Sequence, residues 1–105
     1  MTDLRALAER HLTEAKADKN GRSAHLFLHE GPLRQTVIAL TAGSSLDEHN
    51  SPHAASIQVL TGHVRITSGV GDTELREGDL DPIPPERHGL TAVVDSVVLL
   101  TTVKG

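Results

Sequence analysis

The sequence predicts an all-β fold of the barrel or sandwich class with one amphipathic helix at its N-terminus. Leu4, Leu7, Ala8, His11, Leu12 and Ala15 recur at helical spacing, and after Gly21 the pattern changes to alternation or short aliphatic runs. About eight such runs follow, separated by Gly, Pro, Ser and Asp turn signals, the arrangement expected of a small sandwich or barrel. Nothing repeats at the period of a βαβ unit or of a solenoid.

The helical spacing covers residues 3–18. Thr2 is the expected N-cap, Asp3 suits the first turn, and Asn20-Gly21 is the expected stop, because both residues tolerate a left-handed backbone. So short a helix needs tertiary packing to persist, so it is expected to lie against the side of the barrel. The expected strands cover residues 24–29, 33–42, 57–60, 63–67, 73–76, 80–83, 89–94 and 97–103. With no linker between helix and strands, residues 1–22 read as a helix packed on a barrel domain of residues 23–105.

Composition narrows the function classes. The chain has 105 residues, enough for one domain and one modest core. It carries a net charge of −4 and only one aromatic side chain of the Phe, Tyr and Trp kind, which argues against both phosphate-backbone attraction and base stacking, and so against nucleic acid. The absence of Cys excludes disulfides, thiolate metal sites and thiol nucleophiles. The N-terminal stretch is charged throughout and the longest aliphatic run, residues 97–100, is too short to span a bilayer; a cytoplasmic chain with no membrane contact is expected. Seven His is a high count for this length and raises the question of a site.

Two segments carry the motif signal. The first, GSSLDEHNSPHAASIQVLTGHVRI, runs from Gly43 to Ile66; the second, EGDLDPIPPERHGL, runs from Glu77 to Leu90. They resemble the two motifs of the cupin superfamily, and in detail those of small single-domain bacterial cupins. Gly43, His49 and Gly62 stand at the first Gly, the first His and the hairpin Gly; Gly78, Pro84 and His88 match the second motif. The resemblance implies a small cupin β-barrel, a double-stranded β-helix of jelly-roll type, assembled as a homodimer. The physical sense is independent of the name: alternate strand residues point inward, so a His on one strand can meet a His from a strand distant in sequence. Gly62 permits a tight hairpin, Gly78 a turn, and Pro84-Pro85 a rigid approach to His88.

The departures from the motif bear on function. Counting back from Gly62, the second motif His falls at Ser51 and the motif Glu at Ala55, so two of the four metal ligands that the resemblance implies are missing. His49 and His88 remain, with His53 as the candidate third ligand. Gln58 is a weaker candidate, since its strand parity turns it away from Ala55. Three imidazoles would make an open site for a divalent metal such as Zn, Fe, Ni or Cu. The alternative is a pair of hydrogen-bonded imidazoles at the barrel mouth with no metal.

Other polar residues read as scaffold. His25 and His29 flank Phe27 on one face of a strand, exposed or interfacial; His63 is solvated beside the hairpin; His11 packs near the apolar face of the helix. Glu48 beside His49 offers a candidate base. Arg34 and Arg65, flanked by apolar residues, would hold an anion if they faced the interior and are expected to face outward. The sequence thus supports a small-ligand-binding protein with a degenerate metal site. The alternatives are a metal-dependent dioxygenase or isomerase of a small oxygenated molecule using His49, His53 and His88, and a dimeric interaction or regulatory module.

Overall fold

The computed structural model describes residues 1–49, 54–69, 71–83 and 87–104, with Glu48 and His49 described by their backbone. The expectations for Ser51, His53, Pro84-Pro85 and Glu86 lie outside these residues. The elements are α1 (Leu4–Ala17), β1 (Arg22–Glu30), β2 (Leu33–Leu40), β3 (Ser45–His49), β4 (Ala54–Thr61), β5 (His63–Ser68), β6 (Thr73–Arg76), β7 (Leu80–Pro82), β8 (His88–Ala92) and β9 (Ser96–Val103).

The strands form two antiparallel sheets. One has the order β1-β2-β9-β4-β7 and the other β3-β8-β5-β6. They face one another as the two walls of a jelly-roll sandwich; among the described residues they do not close into one continuous hydrogen-bonded barrel. Between the walls lie Ile38, Leu40, Ile57, Val59 and Val98 from the larger sheet and Val64, Ile66, Leu75, Leu90 and Ala92 from the smaller one.

The helix explains the aliphatic runs. The outer face of the larger sheet is covered by α1, whose Ala8 and Ala15 pack on Val37, Ala39, Val97 and Leu99. In β2 and β9 successive side chains therefore enter alternate cores: Val37 and Ala39 under the helix, Ile38 and Leu40 between the sheets. A strand buried on both faces reads as continuous aliphatics rather than as alternation. Each buried Val, Ile or Leu among them contributes on the order of 1.5–3 kcal/mol by leaving water. No helix among the described residues is long and apolar enough to cross a membrane.

Several local expectations are corrected. The N-cap is Asp3, not Thr2: its carboxylate accepts from the backbone N–H of Arg5 at 3.0 Å and of Ala6 at 3.2 Å. The helix ends at Ala17 with Asp18 as its C-cap, within one residue of the expected span, and Gly21 takes the expected left-handed backbone at φ +70°; the Asp18 carboxylate accepts from the N–H groups of Asn20 and Arg22 as the chain turns into β1. Strand β3 was not predicted. Its sequence, SLDEH, has a single apolar residue and so gives no periodicity to detect. His25 and His29 do not share a face. A bulge between Leu26 and Leu28 shifts the register, so that His25 pairs with Val37 and His29 with Arg34, three residues apart on β2.

Gly62 is the fixed point of the β4–β5 hairpin. Its φ is +95°, and a Cβ there would stand 2.2 Å from the Ser96 hydroxyl oxygen and 2.5 Å from the Asp95 carbonyl oxygen. Ser96 is 1% exposed; its hydroxyl accepts from the His63 N–H at 3.0 Å and donates to the Val94 carbonyl at 2.7 Å. The Ser96 hydroxyl cannot retreat without breaking that bonding. Gly62→Ala is expected to destabilise the fold by about 3 kcal/mol, from positive-φ strain plus the clash. Urea unfolding of the variant beside the parent checks this; a loss below about 1 kcal/mol would contradict the tight fit.

Candidate functional site

The two motif histidines arrive on neighbouring strands. In the β3–β8 pairing Ser45 faces Thr91, Leu46 faces Leu90 and His49 faces His88. From Leu46 to His49 is three steps, whereas from Leu90 to His88 is two, so β3 carries one extra residue. That bulge makes His49, rather than Glu48, the Cα partner of His88. His88 in turn faces Ser68 on β5. Strand β8 alternates cleanly: Leu90 and Ala92 lie in the core between the sheets, and His88, two residues before Leu90, shares their face and is 4% exposed.

Below His88 the walls are aliphatic. A cavity of about 40 Å³ is lined by Ile38, Leu46, Ile57, Ile66, Ile83, Leu90 and Leu100 together with His88 and Gly89. Among these described lining residues His88 is the one polar side chain. A wider cleft of about 480 Å³ opens elsewhere, between α1 and the β4 end, lined by Leu4, Ala8, Leu12 and Leu60 with Arg5, Glu9 and Glu77. That cleft brings no imidazole and no convergent set of donors, so volume alone does not make it the site; the cavity beneath His88 is where the motif residues meet.

On the opposite wall one row of residues stands at the same end of the sandwich. Arg34 faces Thr102 across β2 and β9, and Ala55 faces Thr102 across β4 and β9. Ala55 is two residues before Ile57, Thr102 two after Leu100, and Arg34 four before Ile38, so all three stand on the inner face. This corrects the expectation that Arg34 faces outward. Its guanidinium Nη1 donates to the carbonyls of Gly31 and Leu33, and it is half-buried. Parity counted from Ile38 would have found it; the apolar residues flanking it were the misleading signal. Arg65 does face outward, 3.9 Å from Glu74 and 40% exposed.

His11, His25 and His63 serve the scaffold, whereas His29, the β1 partner of Arg34, falls on the inner face of the larger sheet and is exposed. His11 is 5% exposed beneath the helix, stacked on His25 with ring centroids 5.4 Å apart, its Nδ1 2.8 Å from the Ser23 hydroxyl. His63 is not solvated, as expected from its place beside the hairpin, but half-buried, with Nε2 2.7 Å from a Glu74 carboxylate oxygen on the outer face of the smaller sheet. Gln58 stands on the helix-facing side of β4, one residue from both Ile57 and Val59, as its parity predicted.

The architecture has known counterparts. No protein-family model matches the chain, and no curated protein does. Among solved structures, a cupin superfamily protein from Desulfitobacterium hafniense superposes with a TM-score of 0.75 at 16% identity, over 84% of this chain and 82% of that one. The fold is that of a cupin. A conserved protein of unknown function from Streptococcus pyogenes is 27% identical with a TM-score of 0.74, over 84% of this chain and 78% of the other. A G106A mutant of salicylate 1,2-dioxygenase from Pseudoaminobacter salicylatoxidans gives a TM-score of 0.79 at 19% identity, over 92% of this chain but 33% of the dioxygenase.

Of the candidate metal ligands, His53 and the His49 side chain lie outside the described residues, and His88 lies within them. At the position of the missing motif carboxylate the inner face of β4 presents the Ala55 methyl group, and among the described residues no three His, Cys, Asp or Glu side chains converge. The facing of His49 and His88 is directly testable because the chain contains no Cys. Replacing both, His49→Cys with His88→Cys, is expected to give a disulfide under mild oxidation, since facing strand residues fall within the ~4.4–6.8 Å Cα window of such bonds. Glu48→Cys with His88→Cys is expected to keep free thiols. Alkylation followed by intact-mass measurement distinguishes the two; a disulfide in the second pair instead of the first would move the bulge.

Proposed function

We propose that this cupin is a small-ligand-binding protein with a degenerate metal site, and that its ligand sits at the mouth of the sandwich where His49 and His88 face one another. The observation that carries the reading is their register, which brings two imidazole-bearing residues to facing positions on β3 and β8 above an aliphatic cavity. Imidazoles in such a place donate and accept hydrogen bonds to a ligand head while the cavity takes an apolar portion. The Ala55 methyl removes a carboxylate that would otherwise favour a cation, which tilts the site from metal chemistry to direct ligand contact.

The alternative, a metal-dependent dioxygenase or isomerase, requires His53 as a third ligand with Zn, Fe, Ni or Cu. The likeness to a salicylate dioxygenase is a likeness of fold and supports the alternative no further than that. Elemental analysis and native mass spectrometry of protein purified without a His tag separate the readings. The expected result is substoichiometric metal and, where a ligand survives purification, an organic adduct lost in His88→Ala. Stoichiometric metal that disappears in both His49→Ala and His53→Ala would replace the binding reading with the enzymatic one.

The chain is further proposed to form a homodimer through an edge of the larger sheet, whose outermost strands β1 and β7 carry the exposed Leu26 and Leu80. Light scattering is expected to give twice the chain mass at micromolar concentration, and a monomer mass there would refute the assembly.

A further inference from the structure

We propose that Asn20-Gly21, in the link between α1 and β1, is a latent modification site: the Asn20 amide converts without an enzyme to a carboxylate, and the docked helix holds that reaction back. The link lies at the far end of β2 from the mouth, since Arg22 pairs with Leu40 while His29 pairs with Arg34. It is therefore separate from the binding site proposed above.

The chemistry needs only these two residues and water. The Gly21 backbone nitrogen gives its proton to solvent base and attacks Cγ of the Asn20 side chain. The new C–N bond closes a succinimide ring. The Cγ–NH2 bond breaks, and ammonia leaves with a proton taken back from the base. Water then opens the ring at either carbonyl. Cleavage between Cγ and the Gly21 nitrogen leaves an aspartate. Cleavage between the backbone carbonyl carbon and that nitrogen leaves an isoaspartate, whose main chain runs through the side-chain carbons. Nothing is oxidised or reduced. A glycine after the asparagine favours the attack, because no Cβ shields the nitrogen and the backbone turns freely.

The fold requires that glycine. Its φ is +70°, and a Cβ there would collide with the hydroxyl oxygens of Thr41 and Ser44. Gly21 is buried while Asn20 is exposed, so the amide meets water beside a residue that packing does not allow to change. The same packing restrains the reaction. The Gly21 N–H donates to the Asp18 carbonyl at 3.0 Å, and the Gly21 carbonyl accepts from the Thr41 N–H at 2.9 Å. The Asp18 carboxylate accepts from the N–H of Asn20 at 2.9 Å and of Arg22 at 3.3 Å. The attacking nitrogen can lose its proton and swing towards Cγ only when this turn opens, and such local opening is a minor state. Conversion adds a negative charge beside Asp18, at the end of α1 where the helix dipole disfavours it. An isoaspartate also lengthens the main chain between helix and sheet. Modification thus loosens the turn that held it back.

The test incubates the full chain in warm, mildly alkaline buffer and follows position 20 by peptide mapping, which reads the mass gain from amide to acid and separates isoaspartate from aspartate. The same chain unfolded in urea is the reference. Asn20→Gln is the blank, since Asn50 is the only other asparagine. Position 20 is expected to convert at least about tenfold more slowly in the folded parent than in the unfolded chain. Asp18→Ala should convert about three- to tenfold faster than the folded parent, through loss of its two charge-assisted bonds. If that variant misfolds, Asp18→Asn, which keeps a neutral acceptor, should move less in the same direction. Hydrogen exchange of the Gly21 amide should speed up in the same order. An unfolded chain that leaves position 20 unconverted would overturn the site. A parent that converts as fast folded as unfolded, or folded Asp18 variants that convert like the parent, would overturn the restraint and the proposal with it.

Discussion

Strand β9 lies between β2 and β4 with Val97 and Leu99 under the helix and Val98 and Leu100 between the sheets. A slip of one residue would exchange the two sets and leave both cores mismatched, so its register is held from two sides at once. The positions of other residues follow from it. With β9 fixed, Thr102 falls on the inner face, and its pairing partners Arg34 and Ala55 fall there too. The composition of the site's larger wall is thus a consequence of core packing several residues away, not of any interaction within the site.

The smaller sheet is held differently. Its inner residues Val64, Ile66, Leu90 and Ala92 meet the core, while its outer face carries polar contacts such as His63 with Glu74. Strand β3 is anchored by little more than Leu46 against the core and by its ladder to β8. A strand with one apolar anchor tolerates a bulge that a strand buried on both faces would resist, and the bulge is where the register of His49 is decided. The candidate site therefore joins a wall buried on both faces to one whose outer face is polar.

The same asymmetry explains what could be read in the sequence. Strands β2 and β9 announce themselves as the runs VIAL and VVLL, and the helix by its spacing, because burial dictates those residues. Strand β3 could not be read as a strand, since SLDEH is polar; only the motif resemblance singled out His49. The bulge in β1 separates His25 from His29 and has no signature in composition. Arg34 is the instructive case. Its outward reading followed from its apolar neighbours, whereas parity from Ile38 places it inside at the open end, where a long side chain can lie along the wall with its charge near water.

Charge adds a last constraint on what the mouth can hold. The chain as a whole carries −4, which disfavours the approach of an anion from afar. At physiological ionic strength, however, that field decays over about 8 Å, so residues beyond the mouth count for little once a ligand has arrived. At contact the near groups decide. Two unit charges about 4 Å apart interact by about 4 kcal/mol at the effective dielectric of a protein surface, against about 1 kcal/mol in bulk water. With Ala55 where the motif has a carboxylate, the described inner row contributes a cation and no anion. The methyl at position 55 and the guanidinium-bearing residue at position 34 reach one face through the same β9 register, since both pair with Thr102.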